Sequence, residues 1–473
     1  MVDTVVKNAQ LVTPAGIVAG GVAITNGRIV AVATDDELPR ADEEIDCGGQ
    51  VVLPGLVDPH VHMGGQFPYE QNCQTECDSA AAGGVTTILQ YRSSKVSFLE
   101  DFPKIRATAA QHFFVDTAWH FILGNEQQID EIPQYAEQFG ITTFKFYMGG
   151  YEPGNPIGLV CVNDGMLFRA MEHIRHLGPY AYAMVHCEDD SLVSTLTARV
   201  KARGGDTLLD YSASRPAFCE EQDIMRAVWL AGLLDCQLYV PHTTVGLAME
   251  VENQARLKGP RLTLETCPHY LALTEHDERW CQMSPGIGKV SPPLRDHGNQ
   301  ERLWWGLQRG FITTVGSDHV PIQKTGADLW AERPGFAGLA TTLPVMLSEG
   351  YHKGRLSLER IAQVCALNPA RVFGFAPRKG AIQVGADADL VMVDLDQEQE
   401  VNEETTHSRF TSAFVGMRLR GWPVWTMVRG NVVFREGQVL GKPGTGVQLT
   451  RGETVAALLP AAQAASAAQA AAV

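Results

Sequence analysis

A chain of 473 residues with a formal net charge of −16 and a sequence pI near 5.3 is longer than one small domain and long enough for an α/β barrel with an attached element. No long basic run interrupts the acidic balance, which excludes the electrostatic footprint of a nucleic-acid or anionic-membrane binder and leaves small molecules and further copies of the chain as partners. Ten cysteines lack the paired spacing of a zinc ribbon, the start has neither a basic nor an apolar leader region, and no run reaches the roughly 18 apolar residues of a spanning helix, so a reducing, cytoplasmic setting is expected.

Residues 1–52 alternate short β-rich pieces with turn signals: Thr4–Lys7, Gly21–Ile24, then Asn26-Gly27 leading into Arg28–Val32. Asn-Gly between alternating segments marks a hairpin. A complementary set stands in residues 377–446, where Ala388–Val393 and Val424–Val428 precede the turn Gly430-Asn431 and the run Val432–Arg435. Neither set buries a sheet alone, so the two ends are expected to pair into one small β-sandwich.

Between them, over residues 53–376, apolar strand-like runs alternate with helical segments such as Glu100–His112 and Asp164–Leu177. Eight runs can be counted: Leu56–His62, Thr86–Arg92, Val115–Phe121, Thr142–Tyr147, Ala181–His186, Gln237–His242, Leu262–Thr266 and Ile312–Asp318. Eight β/α units describe a (β/α)8 TIM-like barrel, whose chemistry sits at the carboxyl ends of the strands.

Those ends carry metal-type ligands. The first run closes on Asp58-Pro59-His60-Val61-His62, and residues two apart in a strand point the same way, so both imidazoles face one side. The fourth run holds Lys145, the fifth ends at His186, the sixth at His242 and the eighth at Asp318. Singly, Lys145 reads as a snorkelling lysine, the histidines as packed core residues and Asp318 as a helix cap. Five strand ends delivering such groups to one rim point instead to metal, and to two ions. Four histidines and one aspartate leave such a pair without an anionic bridge. A Lys145 amine that has reacted with carbon dioxide would supply one as a carbamate. Cys187 and Cys267 beside these positions read as buried structural thiols.

These motifs, together with Ala82–Thr87, Glu265-Thr266-Cys267-Pro268-His269-Tyr270, Ser291-Pro292-Pro293-Leu294-Arg295 and Val384–Leu390, resemble those of the hydantoinase/dihydropyrimidinase group of cyclic amidohydrolases within the amidohydrolase superfamily. The resemblance spans residues 3–446. It implies that His60, His62 and Asp318 hold one divalent ion and His186 and His242 the other. Carboxylated Lys145 would bridge them. Zinc is the usual metal, with manganese or cobalt as substitutes. A water between the ions would ionise near neutral pH to a bridging hydroxide that attacks a ring carbonyl, with Asp318 passing its proton to the leaving nitrogen.

The substrate positions match the family less closely. Tyr151 is the residue expected to donate to the oxyanion, with Tyr147 as rival, because Gly149-Gly150-Tyr151 carries one extra residue. Ser291 matches a position whose backbone contacts the ring amide. The family's asparagine falls in Arg333-Pro334-Gly335-Phe336, which has none. At the end of the second run, Gln90-Tyr91-Arg92-Ser93 places an arginine where acidic and apolar residues are usual, and a substrate carboxylate is one partner it could take. Alternation sets Ile88, Gln90 and Arg92 on one side of that strand and Leu89 and Tyr91 on the other; Arg92 emerges at the metal rim if its side faces the axis.

The reading is a metal-dependent hydrolase opening a small cyclic amide such as a hydantoin, a dihydropyrimidine or a related ureide or imide. Alternatives are an allantoinase, a dihydroorotase, or a non-catalytic oligomeric scaffold of the same fold. Dihydroorotases typically place an arginine two residues after His-x-His, where this chain has Met63-Gly64-Gly65, and a scaffold would have lost ligands that are all present. Residues 447–473 end in an alanine-rich tail with little to bury, and the resemblance implies a homotetramer.

Overall fold

The computed structural model describes residues 1–149 and 159–452. From the N-terminal end come β1 (Val2–Thr13), β2 (Gly16–Thr25), β3 (Arg28–Ala33), β4 (Ala41–Asp46) and β5 (Val51–Pro54). The central strands are β6 (Leu56–His62), β7 (Val85–Ser93), β8 (Asp116–Ile122) and β9 (Thr143–Tyr147). They continue with β10 (Tyr182–His186), β11 (Leu238–Val240), β12 (Leu262–Thr266) and β13 (Ile312–Val315). From the C-terminal part come β14 (Leu390–Glu400), β15 (Arg418–Val428), β16 (Asn431–Arg435) and β17 (Gln438–Val439).

The terminal strands form one nine-stranded sheet in the order β17-β16-β15-β14-β5-β1-β2-β3, with β4 beside β1. Its strands share an apolar core that includes Val6, Val22, Ile29, Val52, Leu390 and Met427. The Asn26-Gly27 turn has φ of 52° and 73°, the left-handed pair that a two-residue hairpin loop requires. The ends of the chain meet where β14 runs antiparallel to β5, Leu390 opposite Pro54 and Val393 opposite Val51.

The central eight strands are parallel, in sequence order from β6 to β13, and a bridge from Val61 to His319 draws the ends of that sheet together into a barrel. Alternation divides each strand between two apolar layers. Phe121, Phe144 and Phe146 point outward to the helices, with Phe98 of helix Phe98–His112 stacked on Phe121 at 3.9 Å between centroids. Val57, Leu89, Tyr91, Tyr147, Met184 and Tyr239 fill the interior. The predicted eighth run stops at Val315 and the sixth at Val240, because the chain leaves the ladder just before Asp318 and His242. Both of those residues adopt a left-handed backbone, with φ of 47° and 41°.

A buried ionic knot joins the barrel to the sheet. The fully buried Lys379 ammonium lies 2.5 Å from Asp116 at the start of β8, 2.8 Å from Asp387 and 2.7 Å from Asp389, just before β14. Arg429 reaches Asp116 at 3.1 Å. Asp116, Asp387 and Asp389 are spaced closely enough for an ion, but the lysine occupies the place between them.

Candidate metal centre and substrate cleft

Three side chains from opposite edges of the barrel sheet converge first. His60 and His62 end β6, and Asp318 follows β13; Asp318 Oδ1 stands 3.1 Å from His60 Nε2 and 3.5 Å from His62 Nε2, and the two ring nitrogens are 3.3 Å apart. A second triad forms beside it, with Lys145 Nζ 3.1 Å and His186 Nδ1 3.0 Å from His242 Nε2. The rings of His60 and His242 are 5.4 Å apart, so the triads are neighbours. The structure thus brings together all six residues expected to bind metal.

Two carboxylates decide which nitrogens are offered. Glu265 of β12 lies 2.6 Å from His60 Nδ1, and Glu188 lies 2.9 Å from His186 Nε2. A carboxylate accepts, so each far nitrogen carries the proton and each near nitrogen turns a lone pair toward its triad. Glu265 also accepts from the backbone N–H of His242 at 3.1 Å and from the Tyr239 hydroxyl at 2.5 Å, touching both triads. Its approach needs Gly316, where an added Cβ would lie 2.8 Å from the Glu265 carboxylate and 2.9 Å from His60 Cβ. Asp58 accepts from the backbone N–H groups of His60 and Ser317 at 3.0 and 3.1 Å, tying the ends of β6 and β13.

Burial sets the protonation states. It lowers the pKa of His62 and His186 and pushes His242 well below the usual imidazole range, favouring the neutral rings that ligate metals. It pushes Lys145 down to about 8 against the opposing pull of Asp318 and Glu265, so its amine gives up a proton more readily than a free lysine does. For Asp318 burial works against ionisation, yet His60 and His62 hold the carboxyl well below the carboxylate range. Arg215, 3.0 Å from Glu188, similarly overcomes burial and holds that carboxyl at about 2.

The fit to two divalent cations follows from this donor chemistry. Converging lone pairs from neutral imidazoles, with a carboxylate in one triad and a lysine amine in the other, lie closer together than uncompensated acceptors tolerate. A cation in each triad would satisfy them. His62, His186, His242 and Asp318 line one cleft, together with Tyr91, Tyr147, Ser291, Arg92 and Arg333.

Tyr147 lies on β9 with its ring 5.2 Å from that of His186, whereas Tyr151 lies outside the described residues. The Ser291 hydroxyl is engaged by Tyr211 at 2.5 Å. The condition set for Arg92 is not met as stated. Leu89 and Tyr91 face the axis, with the Tyr91 ring 4.2 Å from that of His60 and tilted to it, while Ile88 packs in the outer layer. Arg92 nevertheless reaches the cleft, because the strand ends at Ser93 and the guanidinium lies at the rim, donating to the Met63 carbonyl. Cys187 and Cys267 are buried, and burial pushes both thiols well above their usual range, as structural cysteines require. Sequence reasoning missed the orienting roles of Glu188 and Glu265. A carboxylate two residues past His186 and one at the end of β12 were the available signals.

The Amidohydrolase family matches residues 261–433. Along nearly its whole length the chain is similar to the L-hydantoinase of Paenarthrobacter aurescens, with 36% identity over 95% of this chain and 98% of the relative. It is also similar to an allantoinase of Solibacter usitatus, with 35% identity over 94% and 96%. Among solved structures, the L-hydantoinase (dihydropyrimidinase) from Arthrobacter aurescens superposes with a TM-score of 0.88 at 36% identity, covering 95% of this chain and 100% of that one.

Proposed function

The chain belongs to the hydantoinase group of the amidohydrolases, and from that premise we propose that it is a hydrolase opening small cyclic amides at a two-metal centre. The observation that carries the reading is the pair of adjoining triads at the floor of one cleft. His60, His62 and Asp318 would hold one divalent ion; Lys145, His186 and His242 would hold the other. Zinc suits the imidazole-rich donors, with manganese or cobalt as substitutes. Bound there, the two ions would polarise a ring carbonyl and bring the ionisation of water close to neutral pH.

The chain's own groups supply the rest. The neutral Lys145 amine adds through nitrogen to carbon dioxide and loses a proton, giving a carbamate whose two oxygens can serve both triads. Its lowered pKa supports this step. Asp318, held ionised, accepts a proton from the attacking water and passes it to the leaving ring nitrogen as the carbon–nitrogen bond breaks and a carbon–oxygen bond forms. Tyr147, beside His186, and Tyr151 are the candidates to donate to the oxyanion. With the Ser291 hydroxyl held by Tyr211, its backbone is left to meet the ring amide.

The allantoinase similarity favours a second reading in which the ring is that of allantoin. A screen of cyclic ureides, imides and lactams with metal-loaded protein separates the two. Opening of hydantoins or dihydropyrimidines is expected, opening of allantoin alone supports the second reading, and no opening of any ring at verified metal content refutes both.

We also propose self-association, in keeping with a tetramer. Phe218, Met225, Trp229 and Leu233 are about half or more exposed along one stripe of helix Ala217–Leu234, which supports contact with another copy. A cytoplasmic setting is supported by ten free cysteines. No helix of the described residues is long and apolar enough to cross a membrane.

A further inference from the structure

We infer that the cyclic amide opened here carries a carboxylate on a short side chain, received by the guanidinium groups of Arg92 and Arg333, which hold the carbonyls of Met63 and Gly65. The inference rests on the cyclic-amide reading and names a substrate class within it.

Both arginines line the cleft that His62, His186, His242 and Asp318 also line. Elsewhere around the site a buried arginine meets a carboxylate: Arg215 pairs with Glu188 and Arg295 with Glu220, each at 3.0 Å. Arg92 and Arg333 break that pattern. Arg92 is only 9% exposed, yet among the described residues it meets no carboxylate; it donates to the Met63 carbonyl, lies 4.3 Å over the Tyr69 ring, and keeps a buried Nε with no hydrogen-bond partner. Arg333, half-buried, donates to the Gly65 carbonyl at 2.9 Å and likewise meets no carboxylate among the described residues.

A guanidinium removed from water without a counter-charge is costly, and a ligand carboxylate, bound through two parallel hydrogen bonds, relieves that cost. The backbone leaves room for it. Gly64, at φ +75°, carries no Cβ, and an added one would lie 2.7 Å from Arg92 Nη1. Ile122, Leu159, Val320 and Ile322 line the same cleft and strengthen a charge contact by excluding water. With a net charge of −16 the whole chain repels anions, so a carboxylate would be held by local cations of this kind.

The test uses the full metal-loaded chain with matched substrates: hydantoins bearing carboxymethyl or 2-carboxyethyl groups, and their primary amides. The unmodified chain is expected to show kcat/KM at least about tenfold higher for an acid than for its amide. Arg92→Gln should cut that ratio by at least about tenfold, whatever it does to the amide alone, Arg92→Lys should keep part of it, and Arg333→Gln should lower it less. Equal or better opening of the amides, or a ratio that neither glutamine variant changes, overturns the inference. Arg92→Gln lowering both substrates in equal proportion assigns that arginine to bracing Met63 and also overturns it. Should Arg92→Gln fail to fold, the preference of the unmodified chain and the ratio in Arg333→Gln decide. Opening of the amides without preference leaves the cyclic-amide reading standing, whereas opening of no ring removes both.

Discussion

Glu265 reaches both triads at once, through the His60 ring and the backbone of His242, so a one-atom change there should disturb both ions. Glu265→Gln keeps the shape but can turn its amide N–H toward His60 Nδ1, favouring the tautomer that withdraws the lone pair from the triad. Metal affinity or kcat is expected to fall by roughly 10–100-fold, read by competition with a chromophoric chelator and by initial rates. Lys145→Ala should abolish ring opening while the circular dichroism stays that of a folded barrel, and a short carboxylic acid should restore part of the rate; full activity in this variant would end the bridging proposal. The candidate ligands were legible in the sequence because each lies at the end of an apolar run or two residues before it. Their orienting carboxylates were not, since nothing in a linear pattern says that Glu265 of β12 leans toward His60 of β6. Arg92 shows a related limit: alternation separates it from Tyr91 but does not say which of the two faces the axis.

Among the elements, β11 and β13 end early, and the residues after them turn left-handed at His242 and Asp318. A propensity reading extends an apolar run through such positions, because the cost of about 1–3 kcal/mol for an unusual backbone appears only once the surrounding structure imposes it. The knot around Lys379 was equally hidden, since nothing in a linear pattern sets this lysine among Asp116, Asp387 and Asp389. Lys379→Met leaves buried carboxylates without their ammonium and is expected to cost about 3–5 kcal/mol in urea denaturation. Burial opposes the charge on Lys379, but Asp116, Asp389 and Asp387 raise its pKa above the ordinary 10.5, so its stabilisation is whole below that value and is lost as pH rises through the folded pKa. Burial also opposes ionisation of Asp387, yet Lys379 and Arg378 lower its pKa below 3.8, so its share is whole above that value and is lost as pH falls through the folded pKa. Asp389, pushed by burial to about 6, runs the other way and offsets part of the acid loss. A melting-temperature profile should therefore fall at both extremes, with the alkaline fall reduced in Lys379→Met.

For the whole molecule, binding of metal to the folded chain alone must raise its stability by mass action. Exhaustive chelation is expected to remove activity and lower the melting temperature, and zinc added back should restore both at about two ions per chain by elemental analysis. An unchanged melting temperature and unchanged rates after verified removal would refute the two-metal reading. The barrel and the pairing of the two ends were legible from the strand-like runs. The single nine-stranded path was not, because strand order depends on long-range register.

The place of β5 in that sheet has a consequence for biosynthesis. During translation β1 and β5 leave the ribosome early, but the neighbour that covers the outer edge of β5 is β14, made only after the entire barrel. A nascent chain therefore carries an open strand edge through most of its synthesis, the condition in which partly made proteins pair with one another or recruit chaperones. Stalled chains ending before Leu390 should show heightened protease sensitivity around Val51–Pro54, and extension through Val428 should remove it.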